Sequence, residues 1–82
     1  MGAAGVTGRR ETTRYATPAL TYRLNCWFVT AHPYGERVGF VEQRESCWRA
    51  VKQNGWYYGL WPTKQAAAEV LVKQAGYELE LT

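Results

Sequence analysis

The sequence contains no aspartate and only one histidine, His32. It shows no Ser-His or Cys-His pair with supporting carboxylates, and no strand precedes the glycines of its first residues. Neither a nucleophilic catalytic site nor a phosphate-binding glycine loop is therefore predicted. His32 lies in a Pro-Gly turn, where a solvated loop residue is the simpler interpretation. We expect a protein that is not an enzyme and has no small-molecule substrate.

Cysteines and long apolar runs are also scarce. Cys26 and Cys47 are not spaced like metal ligands, and His32 cannot complete a site with them, so neither a metal nor another cofactor is expected. Their number permits a disulfide, but no other feature favours an oxidising compartment. No stretch approaches the roughly 20 apolar residues of a membrane span or resembles a signal peptide. We expect a cytoplasmic protein without membrane contact.

The net charge of +3 is unevenly distributed. Residues 1–19 carry three arginines against one glutamate, whereas the remainder carries seven basic residues against six glutamates. Residues 1–19 also lack large apolar side chains almost entirely, and such a segment cannot offset the entropy of its own ordering. We predict a flexible basic arm over residues 1–19 and a single domain over residues 20–82. The arm is either a solubilising tail or a phosphate-binding segment that uses Arg9, Arg10 and Arg14.

The remaining chain shows period-two patterns separated by turn residues, which predict strands. Residues 20–28 alternate without interruption and predict one half-buried strand, followed by a turn at His32-Pro33-Tyr34-Gly35. In the next strand, Val38 and Phe40 alternate against Arg37, Gly39, Val41 and Gln43. A turn near Arg44-Glu45 leads to the strands 46–53 and 56–61, which Asn54-Gly55 joins. This pair favours a type I′ turn, because both central residues need a positive φ.

The segment after Pro62 predicts a helix. Thr63 is the expected N-cap, residues 64–75 contain neither glycine nor proline, and Gly76 fits the C′ position. Ala67, Val70, Leu71 and Ala75 form an apolar stripe at helical spacing. The tail 77–81 alternates again and could return as a short edge strand. The predicted fold class is α+β, an antiparallel meander of three or four strands packed on one α-helix.

One face of this sheet is the candidate binding surface. If Trp48 and Ala50 pack under the helix, strand alternation places Arg37, Gln43, Arg49 and Gln53 on the opposite face, where Tyr57 joins them. Arginine and glutamine match the hydrogen-bonding edges of guanine and adenine, and arginine also binds phosphate. Tyr57 or Trp27 could stack on an unpaired base. The alternative is an ordinary solvated sheet face.

The segment from Arg37 to Gly76, about half of the chain, resembles the AP2-like βββα DNA-binding domains, which include the N-terminal arm-binding domains of phage-type tyrosine integrases. The resemblance rests on two motifs, Cys47-Trp-Arg-Ala-Val and Tyr57-Tyr-Gly-Leu-Trp-Pro-Thr-Lys-Gln-Ala-Ala-Ala. The family shows an aromatic strand ending in alanine, a Leu-Gly-x-Phe strand end and Thr-x-x-x-Ala-Ala at the start of its helix. The sequence departs from it at Val51 and Gln53, where plant members carry charged residues, and in its nearly neutral domain.

The resemblance implies a sheet that lies in the major groove and reads bases through positions matching Arg37, Arg49, Gln53 and Tyr57. We therefore expect a small DNA-binding protein of bacterial or phage type, an accessory or regulatory factor of a phage or mobile element. The alternative is a protein-interaction or homodimerisation module of similar fold. Such a module would pair through an exposed strand edge or through an aromatic patch around Trp27 and Trp61.

Overall fold

A computed structural model describes residues 13–80, which form one sheet and one helix. The elements are β1 (Tyr15–Arg23), β2 (Cys26–His32), β3 (Glu36–Arg44), β4 (Cys47–Lys52), β5 (Tyr57–Trp61), α1 (Lys64–Gln74) and β6 (Glu78–Leu79). The sheet order is β5-β4-β3-β2-β1-β6. Strands β1 to β5 are antiparallel to their neighbours, whereas β6 runs parallel to β1. The mixed sheet curls as a half-barrel.

The predicted α+β class is correct at this level, but the predicted number of strands is too low. Residues 20–28 are not one strand, because a turn at Leu24 and Asn25, with φ of 53° and 64°, separates β1 from β2. β1 also begins at Tyr15, within the segment assigned to the arm. The strand forms there because β2 and β6 pair with its two edges. The boundary between arm and domain at residue 19 is therefore wrong, and residues 1–12 lie outside the described part.

The helix follows the sequence prediction closely. The Thr63 hydroxyl accepts a hydrogen bond from the Ala66 amide at 3.0 Å, so Thr63 is the N-cap. Gly76 follows the helix with a φ of 102°, a left-handed conformation that glycine adopts without strain. Helix α1 contacts every strand of the sheet. Its small buried residues allow this close approach; the buried set is Ala67, Ala68, Leu71 and Val72.

A β-bulge in β3 changes which residues face the helix. Val29 pairs with Gly39 and Thr30 pairs with Arg37, so Val38 is an extra residue on β3. Val38 and Val41 are therefore both buried. Phe40 turns to the opposite face, contrary to the predicted pairing of Val38 with Phe40. Only glycine fits at position 39, because a Cβ there would overlap the Val51 carbonyl oxygen.

The β4–β5 turn is placed correctly by the sequence, but its type differs. The Gly55 amide donates to the Lys52 carbonyl at 2.8 Å, so Gln53 and Asn54 are the central residues of the tight turn. Gly55 follows with a φ of 93°, whereas Asn54 has no positive φ. The arrangement is a turn followed by one left-handed glycine, a common hairpin alternative to type I′. The Asn54 side chain accepts from the Trp56 amide at 3.1 Å.

The core lies between the helix and the face of the sheet that we call the inner face. Its strand residues are small, and the residues of this cluster are Ala16, Val29, Ala31, Val38, Val41 and Ala50, with Tyr77 beyond the helix. Trp27, Trp48 and Trp61 pack at its margin, as half-buried side chains. The tail forms a short edge strand, as expected, and this strand pairs with β1. The inner face thus accounts for the apolar packing of the domain.

Candidate nucleic-acid interface

The opposite face of the sheet, which we call the outer face, carries no helix. The strand register assigns its members, because laterally paired residues point to the same side. Phe28 pairs with Phe40, Phe40 with Val51, and Val51 with Tyr57. None of these four belongs to the core cluster or packs against it. They form a lateral row across β2, β3, β4 and β5, which we call the aromatic row.

Two arginines lie over rings of the aromatic row. The Arg37 guanidinium carbon lies 5.1 Å from the centre of the Phe28 ring. The Arg49 guanidinium carbon lies 5.4 Å from the centre of the Tyr57 ring. Each separation is short enough for a cation–π attraction, worth about 0.5–1 kcal/mol at exposed sites. These contacts hold both cations on the outer face.

Arg49 also forms an ion pair with Glu42 on the neighbouring strand. Its Nε donates to Glu42 Oε2 at 2.7 Å, and its Nη2 contacts the same oxygen. Arg44 Nη1 lies 3.9 Å from that oxygen, and its side chain is more exposed than that of Arg49. One carboxylate therefore neutralises part of the arginine charge here. Arg44, at the longer distance, is held less closely than Arg49.

Charge is segregated between the two sides of the sheet. The charged strand residues of the outer face are Arg23, Arg37, Arg44, Arg49, Glu42 and Glu78. The other described residues carry three lysines and Arg14 against four glutamates. Among those glutamates, Glu45 lies in the β3–β4 turn at one end of the outer face. A domain of nearly neutral total charge therefore presents one positively charged face, and its strand cations are all arginines.

The structure brings together three of the five sheet residues predicted from the sequence. Arg37, Arg49 and Tyr57 share the outer face. Gln43 does not, because it pairs with Trp48 and so shares the side of the helix. The bulge at Val38 reverses the alternation between positions 37 and 43, which explains the error. Gln53 is exposed in the β4–β5 turn rather than on a strand.

Of the three arginines predicted for the arm, the structure describes only Arg14. Arg9 and Arg10 lie outside the described residues. Arg14 lies against two tyrosines, with its guanidinium carbon 4.4 Å from the Tyr77 ring centre and 5.4 Å from that of Tyr34. The rings of Tyr34 and Tyr77 are stacked at 5.3 Å. Arg14 is thereby fixed at the end of the sheet where the β2–β3 turn lies.

Tyr77 links this cluster to β3. Its hydroxyl donates to Glu36, and this hydrogen bond raises the pKa of Tyr77 above its usual value, with burial and the negative charge of Glu36 adding to the shift. The nearby Arg14 charge acts in the opposite direction. The cluster stabilises the neutral tyrosine and joins the end of α1 to the sheet.

Trp27 and Trp61 do not form the exposed patch predicted for them. Both lie on the helix side, where Lys64 Nζ is 3.7 Å from the centre of the Trp27 ring. The Trp61 Nε1 atom is buried and has no hydrogen-bond partner among the described residues. Trp27 is therefore not placed to stack on a base at the outer face. The exposed aromatic residues there are Tyr57 on β5 and Tyr15 on β1, with 53% and 54% of their surfaces accessible.

Sequence reasoning missed Phe28, Phe40, Arg23 and Arg44 as members of the candidate surface. An unbroken strand over residues 20–28 places Phe28 on the same side as Leu20, and unbroken alternation in the next strand places Phe40 on the same side as Val38. Two signals could have corrected both assignments. Asn25 tolerates a left-handed turn, and a glycine inside a strand, such as Gly39, indicates a bulge. Each shifts the alternation of the residues that follow.

The two cysteines are free and lie on outer-face positions of β2 and β4. Burial raises the pKa of the Cys26 thiol, and the charge of Glu42 raises it further. Cys26 is therefore a poor nucleophile at neutral pH.

Within residues 13–80, no group of three or more His, Cys, Asp or Glu side chains is arranged to hold a metal ion. No helix in the described part is long and apolar enough to cross a membrane.

A shallow depression of about 300 Å³ borders Arg49 and Tyr57 at the β3–β4 turn. Its lining also includes Arg44, Cys47 and Leu60. Polar and apolar groups thus meet beside the aromatic row.

Comparisons with protein-family models, curated proteins and solved structures found no match to this chain.

Proposed function

We propose that this protein is a small cytoplasmic DNA-binding protein that uses the outer face of its sheet. The observation that carries the proposal is the segregation of charge, with four arginines and two glutamates on the strands of that face. A phosphate backbone is the polyanion that such a surface suits, and charge neutralisation supplies much of the affinity of DNA-binding proteins. The opposite side of the sheet is occupied by the helix.

The type of cation supports the same proposal. Arginine binds phosphate through two parallel hydrogen bonds and also matches the O6 and N7 acceptors of guanine. Arg37 and Arg49 lie over aromatic rings at 5.1 Å and 5.4 Å, so both guanidinium groups are on the outer face. Arg23 and Arg44 extend the charge along the same face. A regulatory or accessory role in a phage or mobile element rests on the resemblance to AP2-like domains.

The arm adds a second source of phosphate contacts in this proposal. Arg14 is fixed by Tyr34 and Tyr77 at the end of the sheet where β3 begins, which is also the end where Arg37 lies. Arg9 and Arg10 precede it by only a few residues in the chain. Extended chain spans about 3.3 Å per residue, so contacts made by these arginines would adjoin those of the outer face.

Fluorescence anisotropy with labelled DNA at about 50 mM and about 200 mM salt tests the proposal. Binding should weaken with salt, and each outer-face arginine that is replaced should reduce the salt slope by about one. Arg44→Gln is the test variant, and Lys73→Gln, which removes the same charge from the helix, is the matched control. Equal effects of the two variants would contradict the outer face as the site. Absence of binding at low salt would exclude the function.

A second candidate function is self-association or protein binding through β5. This strand is an edge of the sheet and contains no charged residue. Tyr57 and Leu60 are each 53% exposed, and Trp56 beside them is 69% exposed. Unprotected apolar edges are sites at which another strand can pair. The alternative therefore uses a surface that overlaps the first one at Tyr57.

Leu60→Lys separates the two functions. Leu60 pairs with Arg49 and lies on the outer face, so a lysine there adds to the positive charge that DNA would meet. The same lysine discourages pairing of the β5 edge with a second strand. Retained or tighter DNA binding supports the first function. Light scattering of the unchanged chain that shows dimers, together with a monomeric Leu60→Lys variant, supports the second.

A further inference from the structure

The aromatic row has an unusual composition for a sheet face without a covering element. Phe28, Phe40 and Tyr57 occupy three of its four positions, and Val51 occupies the fourth. The inner face already supplies the core, and these residues do not pack against it. The centres of the Phe28 and Phe40 rings are 5.8 Å apart, so these rings contact each other. Tyr57 is 53% exposed, Phe28 and Phe40 are half-buried and Val51 is 8% exposed, so the rings, and above all Tyr57, are the part of the row open to a partner.

The flanking residues indicate the charge of that partner. Arg49 precedes Val51 by two residues on β4, and Arg37 lies beyond the row on the other side, where it pairs with Thr30. The row thus has an arginine on each flank. For a planar group to stack on these rings, both guanidinium groups must leave them, and Arg49 must also leave Glu42; the freed guanidinium groups then bind the anions. An anionic partner with exposed flat rings meets both requirements.

Unpaired nucleotides have this combination, whereas the bases of a duplex are stacked on one another and cannot offer their faces. Stacking of a base on an aromatic side chain is worth about 1–3 kcal/mol and tolerates any base. The row crosses three intervals between strands, which is about 14 Å at the usual strand spacing. Sheets with such aromatic positions stack two or three bases.

We propose that the aromatic row binds a single-stranded segment of nucleic acid. The bases stack on Phe28, Phe40 and Tyr57, and Arg37 and Arg49 bind the adjoining phosphates. This proposal rests on the proposed function, because it uses the same face, and it specifies the form of nucleic acid that the face prefers. Tyr57 is the most accessible ring of the row and should contribute most per residue.

The test compares the binding of the full chain to a labelled DNA strand of about 12 nucleotides and to the duplex of the same sequence. We expect the single strand to bind about tenfold more tightly at the same salt concentration. Tyr57→Leu should weaken its binding about tenfold, and Tyr57→Phe, which keeps the ring, should not. Tyr22→Leu is the matched control, because Tyr22 is 56% exposed but lies on the helix side against Trp27.

The outcomes separate this proposal from the function on which it rests. Duplex binding as tight as single-strand binding, with Tyr57→Leu equivalent to Tyr57→Phe, would overturn the single-strand proposal and leave DNA binding in place. Binding to neither form at low salt would overturn both. An RNA strand of the same sequence is the third arm of the experiment. Binding to RNA but not DNA would support the aromatic row and overturn DNA as the target.

Discussion

The two faces of the sheet come from the same strands but have opposite composition. The inner face offers the helix small aliphatic side chains, such as Val29, Val41 and Ala50, all fully buried. The residues that alternate with these along the strands lie on the outer face, which carries Phe28, Phe40 and the four strand arginines. Because alternation assigns neighbouring residues to opposite sides, each strand stabilises the fold and forms the candidate surface at once. Substitutions on one face should therefore leave the other largely unchanged.

The largest effect is expected for the inner face and can be measured with a matched pair of leucines. Leu71 on α1 is 1% exposed, whereas Leu60 on the outer face is 53% exposed. Leu71→Ala should lower the free energy of unfolding by about 2–5 kcal/mol, because it removes buried contacts and leaves a cavity. Leu60→Ala should cost less than about 1 kcal/mol. Urea unfolding measures both, and similar losses would contradict the division between the faces.

A second effect concerns the bulge that sets which side Phe40 and Gln43 occupy. Gly39→Ala places a Cβ against the Val51 carbonyl oxygen, at a position with a φ of 151°. We expect a loss of about 2 kcal/mol or more, because backbone must move to relieve the overlap. Gly35→Ala is the control, since it has a φ of 79° but open space around the Cβ. Thermal unfolding should show the larger decrease in Tm for Gly39→Ala; equal decreases would contradict this role.

A smaller effect should appear on the outer face alone. Glu42→Gln removes the carboxylate that pairs with Arg49 and frees its guanidinium for a phosphate. DNA binding should tighten by about threefold at low salt, while the loss of a partly exposed ion pair should cost less than about 1 kcal/mol of stability. Anisotropy and urea unfolding measure the two quantities. Glu69→Gln, the same charge change on the helix, should have the smaller effect on affinity, and an equal effect would argue against the local role of Glu42.

The smallest effect is confined to high pH and to the Tyr77 cluster. The raised pKa of Tyr77 means that the folded state keeps its hydroxyl proton at pH values where the unfolded chain has lost it. Its contribution is therefore complete below the unfolded pKa of about 10 and is lost as the pH rises through the folded value. Tyr77→Phe should lower Tm at pH 7 but reduce the further decrease toward about pH 11. Thermal unfolding across that range checks the prediction, and parallel curves for the two proteins would contradict it.

Local sequence signals were sufficient for some elements. The helix from Lys64, its N-cap Thr63 and the glycine at its end depend on residues within one or two turns of each other, so the sequence specifies them directly. The position of the turn at Asn54-Gly55 is likewise local. The type of the turn is not local: the Gly55 amide bonds to the Lys52 carbonyl, and only Gly55, not Asn54, has the predicted positive φ. Position and geometry of a turn are thus separate predictions.

The errors in assigning residues to the two faces have one physical cause. Successive residues of a strand point to opposite sides, so one extra residue reverses the assignment of all those that follow. The Leu24-Asn25 turn and the Val38 bulge each interrupt the alternation of sides in the structure. The period-two pattern of the sequence continues through both positions and does not show the interruption. Arg37, Arg49 and Tyr57 were grouped correctly, but Gln43 was not, because the bulge lies between Arg37 and Gln43 in the chain. Pairing of β6 with β1 joins residues far apart in sequence and has no local signal.

That parallel pairing brings the two described ends of the chain together. The Glu80 amide donates to the Ala16 carbonyl at 3.0 Å, and the Glu78 amide donates to the Arg14 carbonyl at 3.0 Å. A short linker could therefore join residues 13 and 80, with new termini opened at the exposed Asn54-Gly55 turn. Such circular permutants are tolerated where the original ends adjoin and the new ones lie in a surface loop. The domain is accordingly suited to insertion into a loop of another protein, with its outer face kept accessible.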